Sequence, residues 1–176
     1  MKKIFCVILL LSFSHSSFAN SYWGLGAGPS SFDIKPAFGS DEVEDTTAIR
    51  FLFGSRNNNT GIELDVSLAD YNWVFNSSGS HTVLNIIFSG VGYLPISDSF
   101  SLFGKIGANF WSTTVDFAGS IYEGDDSIGI AASAGMDYSI NESLHITAEY
   151  QILPGLSDGV DDGDISQAMI NVLYYF

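Results

Sequence analysis

The sequence predicts an all-β chain, an eight-stranded antiparallel up-and-down transmembrane β-barrel. Three observations lead there. Segments of about ten residues alternate apolar side chains with polar or small ones. The connectors between them alternate long and short. The apolar face of each segment carries no charge across its central span.

The eight segments lie near residues 21–30, 47–56, 61–71, 82–95, 100–111, 127–140, 144–153 and 165–176. The first sets Trp23, Leu25 and Ala27 against Gly24, Gly26 and Gly28. The second has Ile49, Phe51 and Phe53 on one face, with Arg50 and Arg56 in the other register. In the third, Ile62, Leu64, Val66 and Leu68 oppose Glu63 and Asp65. The fourth, "VLNIIFSGVGYLPI", is the longest apolar run after the first 19 residues, but Asn85, two glycines and Pro95 interrupt it, so it does not read as a membrane helix. The fifth places Phe100, Leu102, Ile106, Ala108 and Phe110 on one face, with Gly104 interposed and Lys105 on the other.

The sixth alternates Ile128, Ile130, Ala132, Ala134, Met136, Tyr138 and Ile140 with Gly129, Ala131, Ser133, Gly135 and Asp137. The seventh pairs an apolar face, Leu144, Ile146, Ala148, Tyr150 and Ile152, with His145 and Glu149 on the other. The eighth, "AMINVLYYF", keeps Ala168, Ile170, Val172, Tyr174 and Phe176 in one register and a mixed set in the other. A period of two means that one face of each strand meets a different environment from its opposite.

The turns "NNNTG" (57–61), "SDS" (97–99) and "NES" (141–143) are short; the connectors 31–46, 72–81, 112–126 and 154–164 are longer. Such alternation is how outer-membrane barrels are built, with short periplasmic turns and longer outer loops. A soluble barrel would also alternate, so the solvent of the apolar face has to be argued. Charge in hydrocarbon is costly, which explains the uncharged faces. Small residues on the opposite faces suit a crowded interior, since eight strands enclose a lumen only just wide enough for side chains.

Arg50, Arg56 and Lys105 fall in the non-lipid register, as do Glu63, Asp65, Asp137, His145 and Glu149. Mixed signs in one narrow lumen can pair. A lumenal ion-pair network of Arg50, Arg56, Glu63, Asp65, Lys105, Asp137 and Glu149 is therefore expected. Trp23, Phe53, Phe100, Tyr138, Tyr174 and Phe176 would gather near the periplasmic end as an outward aromatic girdle. Tyr71, Trp73 and Phe75 are candidates for the opposite girdle.

The first 19 residues, with Lys2 and Lys3 before an apolar run and Ser17 and Ala19 before the expected cut, read as a secretory signal peptide. Residues 20–176 would form the barrel domain. The only cysteine, Cys6, leaves with the leader, so no disulfide framework is expected. The formal charge of −14 becomes −16 without the two lysines. That excludes nucleic acid as a partner, because phosphates demand a basic surface.

His145 and Glu149 stand about 13 Å apart along one strand, too far to ligate one metal. His81, in "NSSGSH", reads as a loop residue. No Ser/His/acid grouping stands out, and no cofactor or metal set is expected. Acidic residues crowd three long connectors: Asp41, Glu42, Glu44 and Asp45; Glu123, Asp125 and Asp126; Asp158, Asp161, Asp162 and Asp164.

The eight strands, the ending "NVLYYF" and the strand "LFGKIGANFW" (102–111) resemble the OmpA-like transmembrane barrels, without their periplasmic domain. The resemblance implies location in the outer membrane of a Gram-negative bacterium, among its lipids and lipopolysaccharide. It implies that Ile170, Val172, Tyr174 and Phe176 form the C-terminal signal read by the barrel assembly machinery. It also likens the Arg50, Glu63, Lys105 and Glu149 cluster to the interior salt bridges of such barrels. The expected role is structural or adhesion-like, as a monomer without an enzyme site, with a host or environmental ligand at the acidic loops. A lipid A-modifying enzyme and a small pore are the alternatives.

Overall fold

The computed structural model describes residues 20–35, 45–72, 79–117, 120–157 and 162–176. The chain forms eight strands: β1 (Ser21–Lys35), β2 (Thr46–Asn57), β3 (Thr60–Asn72), β4 (Gly79–Ser97), β5 (Phe100–Phe117), β6 (Ser120–Ser139), β7 (Leu144–Ser157) and β8 (Asp162–Tyr175). Each pairs antiparallel with its sequence neighbour, and β8 pairs with β1 to close the barrel. Closure gives every strand a partner on both sides, as a membrane wall requires, since an unpaired backbone group in hydrocarbon would have no water to bond.

Side-chain parity sorts the two faces. Leu25, Phe51, Ile106, Ile130, Ile146, Ile170 and Val172 are exposed on the outside, although all are apolar. Arg50, Glu63, Asp65, Asp137 and Glu149 are buried inside. This is the reverse of a water-soluble barrel. At the short-turn end Trp23 pairs with Phe53 and Tyr174, and Phe100 with Tyr138. Trp23, Phe53, Tyr138, Tyr174 and Phe176 point outward, and the rings of Trp23 and Tyr174 lie 6.1 Å apart. Phe100 is half-buried.

The wall closes tightly where β1 meets β8. A Cβ on Gly26 would collide with Asn171 Oδ1, and one on Gly28 with the Ala168 carbonyl. The glycines of the first segment are thus explained by close approach inside the barrel.

Several expectations are corrected. The strands run further than the alternation suggested: β1 continues to Lys35, and β4 extends from Gly79 to Ser97. Most of the connector 112–126 is strand, with β5 reaching Phe117 and β6 starting at Ser120. Most of 154–164 is strand as well. Short and long connectors therefore do not alternate strictly. The extensions carry no sustained apolar–polar contrast in the sequence, and only their ladder hydrogen bonds make them strands. β4, β5 and β6 have 19, 18 and 20 residues, whereas crossing the hydrocarbon takes about 9–11.

The acids follow the strands. Asp126, Asp162 and Asp164, expected in loops, lie in β6 and β8, and Glu123 and Asp125 are on the β6 backbone. His81 is likewise in β4, opposite Tyr71, and not in a loop. Tyr71 is not a girdle residue. It shares the parity of Glu63 and Asp65, so it points inward, where its hydroxyl lies 2.6 Å from Ser30 Oγ. Residues 1–19, read above as a signal peptide, and Trp73, Phe75, Asp41, Glu42, Glu44, Asp158 and Asp161 lie outside the described residues.

Candidate functional site

Among the described residues, the lumen gathers ionisable side chains from many strands. Arg50 and Arg56 come from β2, Glu63 and Asp65 from β3, Lys105 from β5, Asp137 from β6, and His145 and Glu149 from β7. Each holds the inward parity of its strand. They fall into two layers.

In the central layer Lys105 Nζ donates to Glu63 Oε1 at 2.5 Å and to Glu149 Oε2 at 2.9 Å, linking β3 to β7 through β5. Arg50 Nη1 donates to the same Glu149 oxygen at 2.9 Å. Its Nη2 donates to Gln151 Oε1 at 2.5 Å and Gln167 Oε1 at 3.2 Å. Arg50 Nε is 3.1 Å from Asp65 Oδ2, a charge contact without good hydrogen-bond alignment. Gln151 Nε2 donates to that carboxylate at 3.5 Å, and Tyr22 donates its hydroxyl to Glu63 Oε2 at 2.5 Å. Six strands are thus tied through one set of charge-assisted bonds.

The second layer lies nearer the short turns. Arg56 Nη1 donates to Asp137 Oδ2 at 2.8 Å, and His145 Nδ1 lies 2.9 Å from Asp137 Oδ1. The Arg56 guanidinium sits 3.9 Å from the centre of the Tyr93 ring, a cation–π contact, and the His145 ring packs 4.4 Å from that of Tyr175. His145 and Glu149 therefore belong to different layers despite sharing a strand face. A gap of about 10 Å³ between the layers, lined by Glu63, Lys105, Asp137 and Thr147 among others, is about what one water needs.

Sequence reasoning missed three groups. Tyr22, Gln151 and Gln167 complete the central layer; each sits on the inward parity of its strand, and that parity was the available signal. Two amide contacts, Asn109 to Asn85 at 3.0 Å and Asn171 to Thr147 at 2.9 Å, brace neighbouring strands. Above the charges, towards the long-connector end, lies an apolar cluster containing Tyr71, Ile87, Trp111, Leu153, Ile165 and Met169. The lumen is therefore not uniformly polar, and apolar side chains also pack beside the ion pairs, with Tyr22, Leu52, Leu173 and Tyr175 in one cluster and Val91, Tyr93 and Phe103 in another.

Comparison with known proteins agrees with this inside-out arrangement. Residues 5–176 match the family described as the outer membrane protein beta-barrel domain. No curated protein sequence matches the chain. Among solved structures, Neisserial surface protein A superposes with a TM-score of 0.71 at 17% identity, covering 88% of this chain and 97% of that one. OprG from Pseudomonas aeruginosa gives 0.59 at 18% identity, with 90% and 96% covered. Ail, the attachment invasion locus protein of Yersinia pestis, gives 0.57 at 15% identity, with 89% and 99% covered. The chain belongs to the outer membrane protein beta-barrel family and is a small transmembrane barrel of the Gram-negative outer membrane.

Proposed function

We propose that this barrel is a surface-interaction protein of the cell envelope, adhesion-like in role and without an enzyme site, whose lumen is a structural plug. The carrying observation is that the lumen is filled along its length, by two layers of paired charges and an apolar cluster above them. A filled body leaves the outer face as the working surface. Ail was solved with the heparin analogue sucrose octasulfate, which supports a ligand-binding role for barrels of this shape. The same charge on this chain's ligand would meet acidic outer connectors, so the ligand here differs in chemistry.

The test compares a deletion strain with its complemented parent for attachment to host cells and surfaces. Lost attachment with unchanged lipid A by mass spectrometry is the expected result. Changed lipid A and intact attachment would instead make it a lipid A-modifying enzyme. The purified barrel in planar bilayers is expected to show no steady conductance; a stable open level would mean that the ion pairs part to form a pore.

The assembly role of β8 is proposed on its edge. Ile170, Val172, Tyr174 and Phe176 form one outward stripe on the strand that closes the barrel against β1. Before closure that edge is free to pair with another strand. Phe176→Ser is expected to lower the amount of heat-modifiable protein in outer membranes while leaving purified protein able to refold in detergent. Equal loss in both would mean that Phe176 serves stability and not recognition. Residues 1–19 are proposed as the export signal on the same reading; amino-terminal sequencing of membrane-extracted protein is expected to begin at Asn20.

A further inference from the structure

The outward apolar stripe is not equally long around the barrel. On β2 it consists of Ile49, Phe51 and Phe53, with Thr47 and Ser55 at its two ends. On β4 it runs from Leu84 to Ile96, interrupted only by Gly90 and Gly92, and on β6 from Ile128 to Ile140. The stripes of β1, Trp23 to Pro29, and β3, Ile62 to Leu68, are short like that of β2. With a rise of about 3.3 Å per residue and strands leaning about 40°, the stripe covers about 10 Å of membrane depth on β2 and about 30 Å on β4. Tilting the whole barrel would not remove the difference, because tilt moves both ends of one wall's stripe together.

The difference is abrupt at the short-turn end, between β3 and β4. Thr60, the first residue of β3, pairs with Gly92, and Tyr93 donates its N–H to the Asn59 carbonyl at 2.8 Å. β4 then continues from Tyr93 to Ser97 before the chain turns. The β2–β3 turn therefore stands about 10 Å nearer the bilayer midplane than the β4–β5 turn. Their surroundings are opposite in character. The shallow turn is made of Asn57, Asn58 and Asn59, all exposed, with Asn58 at φ 53°. The deep side carries Leu94 and Ile96 on β4 and Ile140 on β6, which are 61%, 58% and 49% exposed.

Each feature moves the membrane boundary its own way. The peptide groups of a turn lack ladder partners and need water, so headgroups and water must rise to the asparagines. Leu94, Ile96 and Ile140 left in water would forfeit the transfer of three large apolar side chains, so acyl chains must reach down to them. A bilayer meets such a mismatch by changing thickness, at a small cost per ångström.

We propose that the periplasmic leaflet is stepped around this barrel: its phospholipids are thinned against β1–β3 and stand at full depth against β4–β6, with the step at the β3–β4 seam. The lipid-facing surface thus has two sides of different chemistry, and the partner of the short side is a locally thinned patch of phospholipid. The inference needs the transmembrane placement of the barrel and is independent of the surface-interaction role.

The test is thiol labelling of the full-length chain carrying Cys6→Ser, which removes the only native cysteine. Single variants Thr60→Cys, Leu94→Cys, Ile96→Cys and Ile140→Cys are refolded into phosphatidylcholine nanodiscs and checked for heat-modifiability. They are then treated with a membrane-impermeant sulfonated maleimide, and each rate is divided by that of the same variant unfolded in urea. Leu94 lies at about the depth of Thr60, and Ile96 lies deeper toward the periplasm. A flat leaflet would therefore wet Ile96 at least as well as Thr60. The stepped leaflet gives the reverse order: Thr60→Cys is expected to react about tenfold or more faster than the other three. The same order is expected in dimyristoyl and in dioleoyl lipid.

Ile96→Cys reacting as fast as Thr60→Cys would overturn the proposal, since the β4–β5 hairpin would then project into water from a flat membrane. Thr60→Cys reacting as slowly as Ile96→Cys would also overturn it, because the asparagine turn would be sunk in hydrocarbon. So would an order that reverses between the two lipids. If Ile96→Cys fails to fold, Leu94→Cys and Ile140→Cys, on two different strands, carry the same comparison.

Discussion

Arg50→Met should destabilise the folded barrel by about 3–5 kcal/mol, the usual consequence of removing one member of a buried charge set. Arg50 holds Glu149 at 2.9 Å, lies 3.1 Å from Asp65 and donates to Gln151 and Gln167. Methionine fills similar space but leaves Asp65 with no cation beside it and Glu149 with Lys105 alone. The loss is read by urea unfolding from lipid vesicles and by the temperature at which the compact gel band disappears. The double variant Arg50→Met, Glu149→Gln should recover part of the loss, with a coupling of about 0.5–3 kcal/mol typical of direct partners. Strict additivity of the two losses would show that the pair is not coupled and that the central layer is mere filling.

Ile106→Arg should cost about 2–4 kcal/mol, by a different route. Ile106 is 69% exposed, in the middle of the apolar outer stripe of β5. In water an arginine there would be harmless. In hydrocarbon the guanidinium must be dehydrated or must drag water and headgroups inward. The penalty should shrink as the substitution moves outward along the same face, so Thr114→Arg, beyond Phe110, should be nearly neutral. A flat profile along β5 would mean that the outer face does not meet lipid. Since Arg50→Met acts inside and Ile106→Arg outside, more than one side chain apart, their effects should add within the usual error for distant sites.

The two expectations differ in how far the sequence alone could have reached them. Ile106 is legible from parity and from its apolar neighbours Leu102, Ala108 and Phe110. Arg50 is legible as lumenal, but its partners are not. Glu149 lies 99 residues away in sequence and meets Arg50 only because the closed sheet brings β7 across from β2. Tyr71 shows the cost of reading composition over parity: an aromatic near a strand end suggested a girdle, yet its odd position beside Ala69 and Ser67 placed it inside. His81 and the residues from 112 to 126 show the opposite difficulty. No sustained apolar–polar period marks them, and only the hydrogen-bonded register of β4, β5 and β6 reveals their strands.

The amino-acid order by itself determined the number of strands, their antiparallel path, the direction each side chain faces at membrane height, and which residue types share the lumen. These follow from a two-residue period, which is local, and from the expulsion of charge by hydrocarbon, which acts on every strand alike. Only the tertiary structure decided which charges pair, that the lumen divides into two ionic layers beneath an apolar cluster, and that the β2–β3 turn meets β4 five residues short of its end. Those depend on how far each strand is shifted against its neighbour around a closed ring, a displacement that accumulates strand by strand and leaves no trace in any single segment.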